Sequence, residues 1–286
     1  MRDLTQDTIT DYIAASFASS QSPRHVELMT GLVKCLHGFI REVDLSHSEW
    51  AKLLAFFYRV GDKTTETRDE FMLLSDVMGI TSLVDLLAST KNPEATPASP
   101  LGPFYLENAP VIKQGGTLCR AGEPGIPLVF KGTVTNEHGV KIENALLDIW
   151  HNADSGLYSN EDETQDDMNN RGCIYTDEQG RFTLNTIRPK PYSVPMDGPV
   201  GDLLKAFERS PWRSAHLHVV VSAQGYESVI TELFFSDCEY IDIDAVGGVR
   251  PSLTHEPSYI NTDRGETLSI DHHFRLRPLS QEPASL

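Results

Sequence analysis

Lys91-Asn92-Pro93-Glu94-Ala95-Thr96-Pro97-Ala98-Ser99-Pro100-Leu101-Gly102-Pro103-Phe104-Tyr105-Leu106-Glu107-Asn108-Ala109-Pro110 separates two kinds of pattern in this chain. Each of its five prolines removes a backbone donor and fixes φ, so no helix runs through it. Upstream, apolar residues recur with helical spacing. Leu28, Leu32, Leu36, Phe39, Ile40 and Val43 share a face, with Ser22-Pro23 as N-cap and first-turn pair. Ser46 and Glu49 have capping-box spacing before Trp50, Leu53, Leu54 and Phe57, and Thr67 with Glu70 repeats it before Phe71, Leu74 and Val77. Four or five helices are expected up to about residue 92.

Downstream the pattern changes to short β-rich runs: Leu128 to Thr135, Ala145 to Trp150, Arg181 to Asn185, Ala215 to Ser222, Ser228 to Phe235 and Thr267 to Leu276. Turn chemistry such as Asn136-Glu137-His138-Gly139 and Asp177-Glu178-Gln179-Gly180 separates them. The expected fold is α+β, with a helical layer over residues 1–97 followed by an antiparallel β-sandwich over 98–286.

A chain of 286 residues, 40% of them apolar, can bury a substantial core. A net charge of −17 repels a phosphate backbone, so nucleic acid is not an expected partner. No stretch approaches the roughly 20 apolar residues of a membrane span, and the first residues are too polar to begin a secretory signal, so the expected location is the cytoplasm. Cys35, Cys119, Cys173 and Cys238 are too scattered for a disulfide framework or a metal clip and read as reduced, mostly buried thiols. The acidic run from Glu161 to Asp167 reads as a solvated loop.

His216-Leu217-His218, running into Val219-Val220-Val221, reads as a strand, which places both imidazoles on one face about 6.5–7 Å apart. That spacing suits a metal, although a polar strand face carries such a pair equally well. His272-His273 point to opposite faces and do not share an ion. Tyr158 and Tyr192 follow strands, in loops stiffened by Gly156 and by Pro189, Pro191 and Pro195. Taken singly, each is an ordinary packing tyrosine. Taken with the two histidines, they suggest a hard, highly charged cation, because only such an ion makes a phenol with a pKa near 10 a ligand at neutral pH.

The chain resembles the intradiol catechol dioxygenases over nearly its whole length. The blocks that carry the resemblance, in the family's order, are Leu101-Gly102-Pro103-Phe104-Tyr105, Asp148-Ile149-Trp150-His151-Asn152 leading to Gly156-Leu157-Tyr158, Thr176-Asp177-Glu178-Gln179-Gly180-Arg181-Phe182, and Arg213-Ser214-Ala215-His216-Leu217-His218. The resemblance implies a transthyretin-like sandwich carrying Fe(III) on Tyr158, Tyr192, His216 and His218, and a homodimer formed through the N-terminal helices, where relatives also hold a lipid. It implies that Tyr192 leaves the metal and acts as general base, and that Arg213 stabilises negative charge on the ring. Within the family the hydroxyquinol-cleaving branch is most similar, through Asp197-Gly198-Pro199-Val200-Gly201 and the pair Leu73 and Asp76. The implied reaction opens hydroxyquinol with dioxygen to 3-hydroxy-cis,cis-muconate. An aspartate in the pocket suits a third ring hydroxyl and is left unpaired by plain catechol. The other implied pocket residues are Pro100, Leu101, Gly102, Pro103, Phe104, Val194, Pro195 and Val246. Glu232 departs from the pattern, since catechol-cleaving relatives commonly carry glutamine there. Two other readings remain: a catechol or chlorocatechol 1,2-dioxygenase, and a non-catalytic transthyretin-like binding module.

Overall fold

The computed structural model describes residues 4–66, 68–262 and 265–279. The described residues form two compact units, one up to Tyr58 and one from Arg59 onward. In the first, α1 (Ile9–Ser16) packs on α2 (Pro23–Glu42), and Arg41 donates from Nη2 to the Thr10 hydroxyl at 2.7 Å. Ser22 caps α2 as its sequence predicts, accepting from the His25 N–H at 3.3 Å. The capping box before α3 (His47–Lys63) also forms, with Ser46 N–H donating to Glu49 and Glu49 N–H to Ser46 Oγ. The stripe expected to be apolar on α2 is open: Leu28, Leu32, Leu36, Phe39 and Val43 are each about half exposed.

In the second unit, α4 (Glu70–Val77) and α5 (Ile80–Lys91) precede the proline segment. The cap of α4 is Asp69, which accepts from the Met72 N–H at 2.8 Å. The expected capping residue, Thr67, lies outside the described residues; with the helix beginning at Glu70, the capping position falls two residues later.

The strands that follow are β1 (Pro127–Asn136), β2 (Leu146–Trp150), β3 (Arg171–Tyr175), β4 (Arg181–Ile187), β5 (Tyr192–Ser193), β6 (Trp212–Arg213), β7 (His216–Ser222), β8 (Val229–Phe235), β9 (Thr254–His255), β10 (Ser258–Thr262) and β11 (Gly265–Leu276). A short α-helix, α6 (Pro199–Ala206), lies between β5 and β6, and a 3-10 turn over Pro251–Leu253 lies between β8 and β9. They build a four-stranded sheet in the order β10-β11-β1-β4, a five-stranded sheet in the order β3-β2-β7-β8-β9, and the small ribbon β5-β6. Phe130, Phe182, Leu184 and Phe274 from the first sheet meet Leu147, Ile149, Leu217, Val219 and Leu233 from the second in one buried core. The α+β sandwich is therefore as expected, but its sheets are mixed. β1 pairs parallel with β11 and β8 parallel with β9. The first pair joins the first and last strands in sequence, and the chain between them supplies the long crossover that a parallel pair requires.

All four cysteines are free; Cys173 and Cys238 are buried, Cys119 is half-buried and Cys35 is exposed. His272 and His273 do face opposite ways: His272 is buried with Nδ1 at 3.0 Å from His255 Nε2, and His273 Nε2 lies 2.8 Å from the Thr135 hydroxyl. Among the described residues no single helix is long and apolar enough to cross a membrane.

Candidate metal centre

Strand alternation along β7 builds half of the site. Leu217, Val219 and Val221 are fully buried in the sandwich core, which turns His216 and His218 to the opposite face of the sheet. His216 Nδ1 lies 2.6 Å from the Ser214 carbonyl, to which only an N–H can donate, so its Nε2 carries the lone pair. Burial and then the nearby Arg213 charge lower the pKa of His216, which keeps the ring neutral. His218 is held by Trp150, stacked on it at 4.7 Å with parallel planes. Burial and the adjacent His216 push its pKa well down.

Tyr158 arrives from the other side, on the loop after β2. Its N–H donates to Glu161 at 3.1 Å and its ring stacks on Phe104 at 4.6 Å. The acidic run is thus more than a solvated loop, because its first carboxylate anchors the loop. Tyr158 Oη lies 3.2 Å from His218 Nε2 and 3.4 Å from His216 Nε2, and the two Nε2 atoms are 3.0 Å apart. With the His216 Nε2 lone pair turned into it, this triangle of polar atoms is buried and tightly spaced. Ligands about 2.1 Å from one ion at angles of about 90–110° stand about 3.0–3.4 Å apart, so the three atoms fit a shared cation. Burial pushes the Tyr158 phenol well above its ordinary pKa, with Tyr192 adding to the effect, so without a cation it stays protonated.

Tyr192 lies on the two-residue strand β5, opposite Arg213 in register. Its ring centroid is 5.5 Å from that of Tyr158 and 5.7 Å from that of His216, and burial raises its pKa in the same way. Arg213 is almost wholly buried, donating from Nη2 to Glu232 at 2.8 Å and from Nε to Asp244 at 3.0 Å. Burial works against its charge, but Asp244 and Glu232 together raise its pKa well above the ordinary value. Glu232, the residue that departs from the family pattern, pairs with the arginine. Its Oε1 also stands 3.5 Å from His216 and 3.6 Å from His218, and its Oε2 accepts from the Ser99 hydroxyl. His216, His218 and Glu232 form a second donor set whose atoms lie within 4.8 Å of one another. Arg213 and Ser99 already occupy that carboxylate, so the tyrosine set is the better fit for an ion.

Some of the expected pocket residues lie close to this centre. Gly102, at φ +73°, brings its backbone so close that a Cβ there would meet His218 Cε1 at 3.3 Å. Gly248 is similarly constrained, since a Cβ would lie 2.8 Å from Glu232 Oε2. Leu101 packs against Phe104, Trp150, Tyr158 and Tyr192, while Leu73 packs with Val194 and Val246. Leu73, Pro103, Phe104 and Pro195 line a cavity of about 300 Å³ whose rim carries Arg68 and Asp197. Pro100 is buried beside Ser99. Asp76 is 3% exposed, its Oδ1 has no hydrogen-bond partner, and burial raises its pKa to about 6.

Sequence reading missed Asp244, Ser99 and Trp150 as parts of the site, as well as Arg171, whose guanidinium is buried behind Tyr158. Burial lowers the pKa of Arg171 to about 10, with Tyr158, Asp148 and Glu161 opposing the effect. Trp150 lay within a block singled out above, whereas Asp244 and Ser99 are joined to the site only through tertiary contacts.

Two family models match the chain: "Catechol dioxygenase N terminus" over residues 22–96 and "Dioxygenase" over residues 101–278. The chain is 35% identical to hydroxyquinol 1,2-dioxygenase of Rhizobium sp. (strain MTP-10005), with 92% of each chain covered. It is 36% identical to 6-chlorohydroxyquinol 1,2-dioxygenase of Cupriavidus pinatubonensis, covering 97% of this chain and 99% of that one. Among solved structures, hydroxyquinol 1,2-dioxygenase from Pseudomonas putida DLL-E4 superposes with a TM-score of 0.88 at 35% identity, covering 96% of this chain and 99% of that one.

Proposed function

The chain belongs to the intradiol ring-cleavage dioxygenases, and we propose that it opens hydroxyquinol with dioxygen at a ferric ion held by Tyr158, Tyr192, His216 and His218. The observation that carries this reading is the triangle of Tyr158 Oη, His216 Nε2 and His218 Nε2, whose mutual spacing is that of ligands on one cation. Ferric iron, when bound, supplies a Lewis acid that stabilises phenolates and draws electron density from a diol.

The protein supplies the rest. Tyr158 is tied down by Glu161 and Phe104, which suits a resident ligand. Tyr192 is held by a two-residue ribbon, which suits a ligand that turns away and takes a proton from a substrate hydroxyl at its Oη. Arg213, fixed by two carboxylates beside Tyr192, faces charge that develops on the ring. Phe104, Val194, Leu73 and Val246 keep the ring's surroundings apolar and exclude water. Asp76 Oδ1, buried and unpartnered, is an acceptor for a third ring hydroxyl, which supports hydroxyquinol over catechol.

The same proposal keeps residues 1–97 as a helical dimerisation region and 98–286 as the catalytic sandwich, in a cytoplasmic homodimer. The open apolar stripe on α2 supports that contact, and supports a lipid there. Oxygen uptake by the iron-loaded protein, comparing kcat/KM for hydroxyquinol with that for catechol, tests the reading. A preference for catechol refutes the pocket assignment, and no uptake with either diol refutes the activity.

A further inference from the structure

We infer that Arg171 is a positioning residue for Tyr158, serving both as the fixed counter-charge of its phenolate and as the clamp on the loop that carries it. This inference rests on the iron reading above. Arg171 opens β3 and is 2% exposed. Its Nε donates to Ser159 Oγ at 2.8 Å and its Nη2 to Asn160 Oδ1 at 2.9 Å, so it grips the two residues that follow Tyr158. Its Cζ lies 6.0 Å from the centroid of the Tyr158 ring. Nη1 is buried without a hydrogen-bond partner, and among the described residues Arg171 makes no ion pair.

A guanidinium does not lose its proton, so a buried one without a carboxylate needs negative charge from a neighbour. The acidic groups that face it are Asp148, whose Oδ2 accepts from the Tyr105 hydroxyl, and Glu161, whose Oε2 accepts from the Tyr158 N–H. Neither reaches the guanidinium, and the ring it covers is that of Tyr158. Arg213 differs, because it is paired with two carboxylates. Each tyrosine therefore has its own arginine, but the one behind Tyr158 has no carboxylate partner among the described residues. This asymmetry favours Tyr158 as the anion that stays and leaves Tyr192 as the one that departs.

The test uses the visible absorption and iron content of the ferric-loaded full chain. Arg171→Gln removes a cation that stabilises the phenolate donor, so the tyrosinate-to-iron band is expected at longer wavelength with iron retained. Arg171→Lys keeps the charge and is expected to return the band toward its original position. An unmoved band in folded, iron-replete Arg171→Gln overturns the inference. If Arg171→Gln does not fold, Arg171→Met decides by the same measurement: a band at longer wavelength supports the counter-charge, and an unmoved band overturns it. The absence of any visible band in the unaltered ferric-loaded chain overturns the iron reading, and the inference with it.

Discussion

Replacing Asp76 with asparagine is expected to make the protein more stable and less selective. Burial raises the Asp76 pKa from 3.8 to about 6, which at about 1.4 kcal/mol per pKa unit corresponds to about 3 kcal/mol. The sign follows from proton binding. Below pH 3.8 the carboxyl is protonated in both folded and unfolded chains, so it contributes nothing. Between 3.8 and about 6 the folded chain holds a proton that the unfolded chain has released, and stability falls as pH rises. Above about 6 the whole penalty is present. Denaturant unfolding of Asp76→Asn and the unaltered chain should therefore agree near pH 4 and diverge by up to about 3 kcal/mol by pH 8, the variant being the more stable. The exchange also replaces a charged acceptor for the third ring hydroxyl with a neutral one. That change is worth about 1.4 kcal/mol, so the hydroxyquinol-to-catechol ratio of kcat/KM should fall about tenfold. A stability difference that does not vary with pH, or a variant less stable at pH 8, refutes the electrostatic reasoning. An unchanged substrate ratio refutes the role given to the carboxylate.

Three further outcomes are expected. Arg213→Ala should retain iron and visible colour but lose most turnover, and stopped-flow oxygen uptake showing native turnover would refute its role at the ring. Glu232→Ala leaves Arg213 with Asp244 alone and should cost about 3–5 kcal/mol in thermal unfolding, whereas Glu232→Gln, which keeps an acceptor for Arg213, should cost less than half of that. On α2, Leu32→Asp combined with Leu36→Asp should yield a monomer in sedimentation experiments with the sandwich still folded; an intact dimer would move the proposed contact elsewhere.

Local chemistry made much of the fold legible in the sequence. Ser22-Pro23 and the Ser46/Glu49 box mark their helix starts because capping is decided within a single turn. Six strands could be read from β-rich runs flanked by turns. β3 was missed because it begins Arg171-Gly172, a pair with no strand signature, and it holds its place by pairing with β2. α6 begins with Pro199, Val200 and Gly201, and its eight residues carry no helical signature that sets them apart in the sequence. Its first turn is held from outside by Glu70, which accepts from the Val200 N–H at 3.1 Å. The His-x-His spacing was readable because strand period fixes it, and with it the two tyrosines pointed to a hard cation, but which of them would leave the metal came only through the family resemblance. Whether Glu232 would pair with Arg213 or turn away was open in the sequence, since the answer depends on β7 and β8 lying side by side.

β7 serves two masters at alternate residues: its odd-numbered side chains are sandwich core and two of its even-numbered ones are the paired histidines. Any drift in where the imidazoles stand therefore has to be accepted by Leu147, Phe234 and the rest of the core at the same time, which makes this strand conservative under selection and a poor target for an engineer. α4 and the segment from Val194 to Asp197 carry no such double duty. New ring substituents should be accommodated there, so that variants selected for other diols would accumulate changes around Leu73, Asp76 and Pro195 while β7 stays as it is.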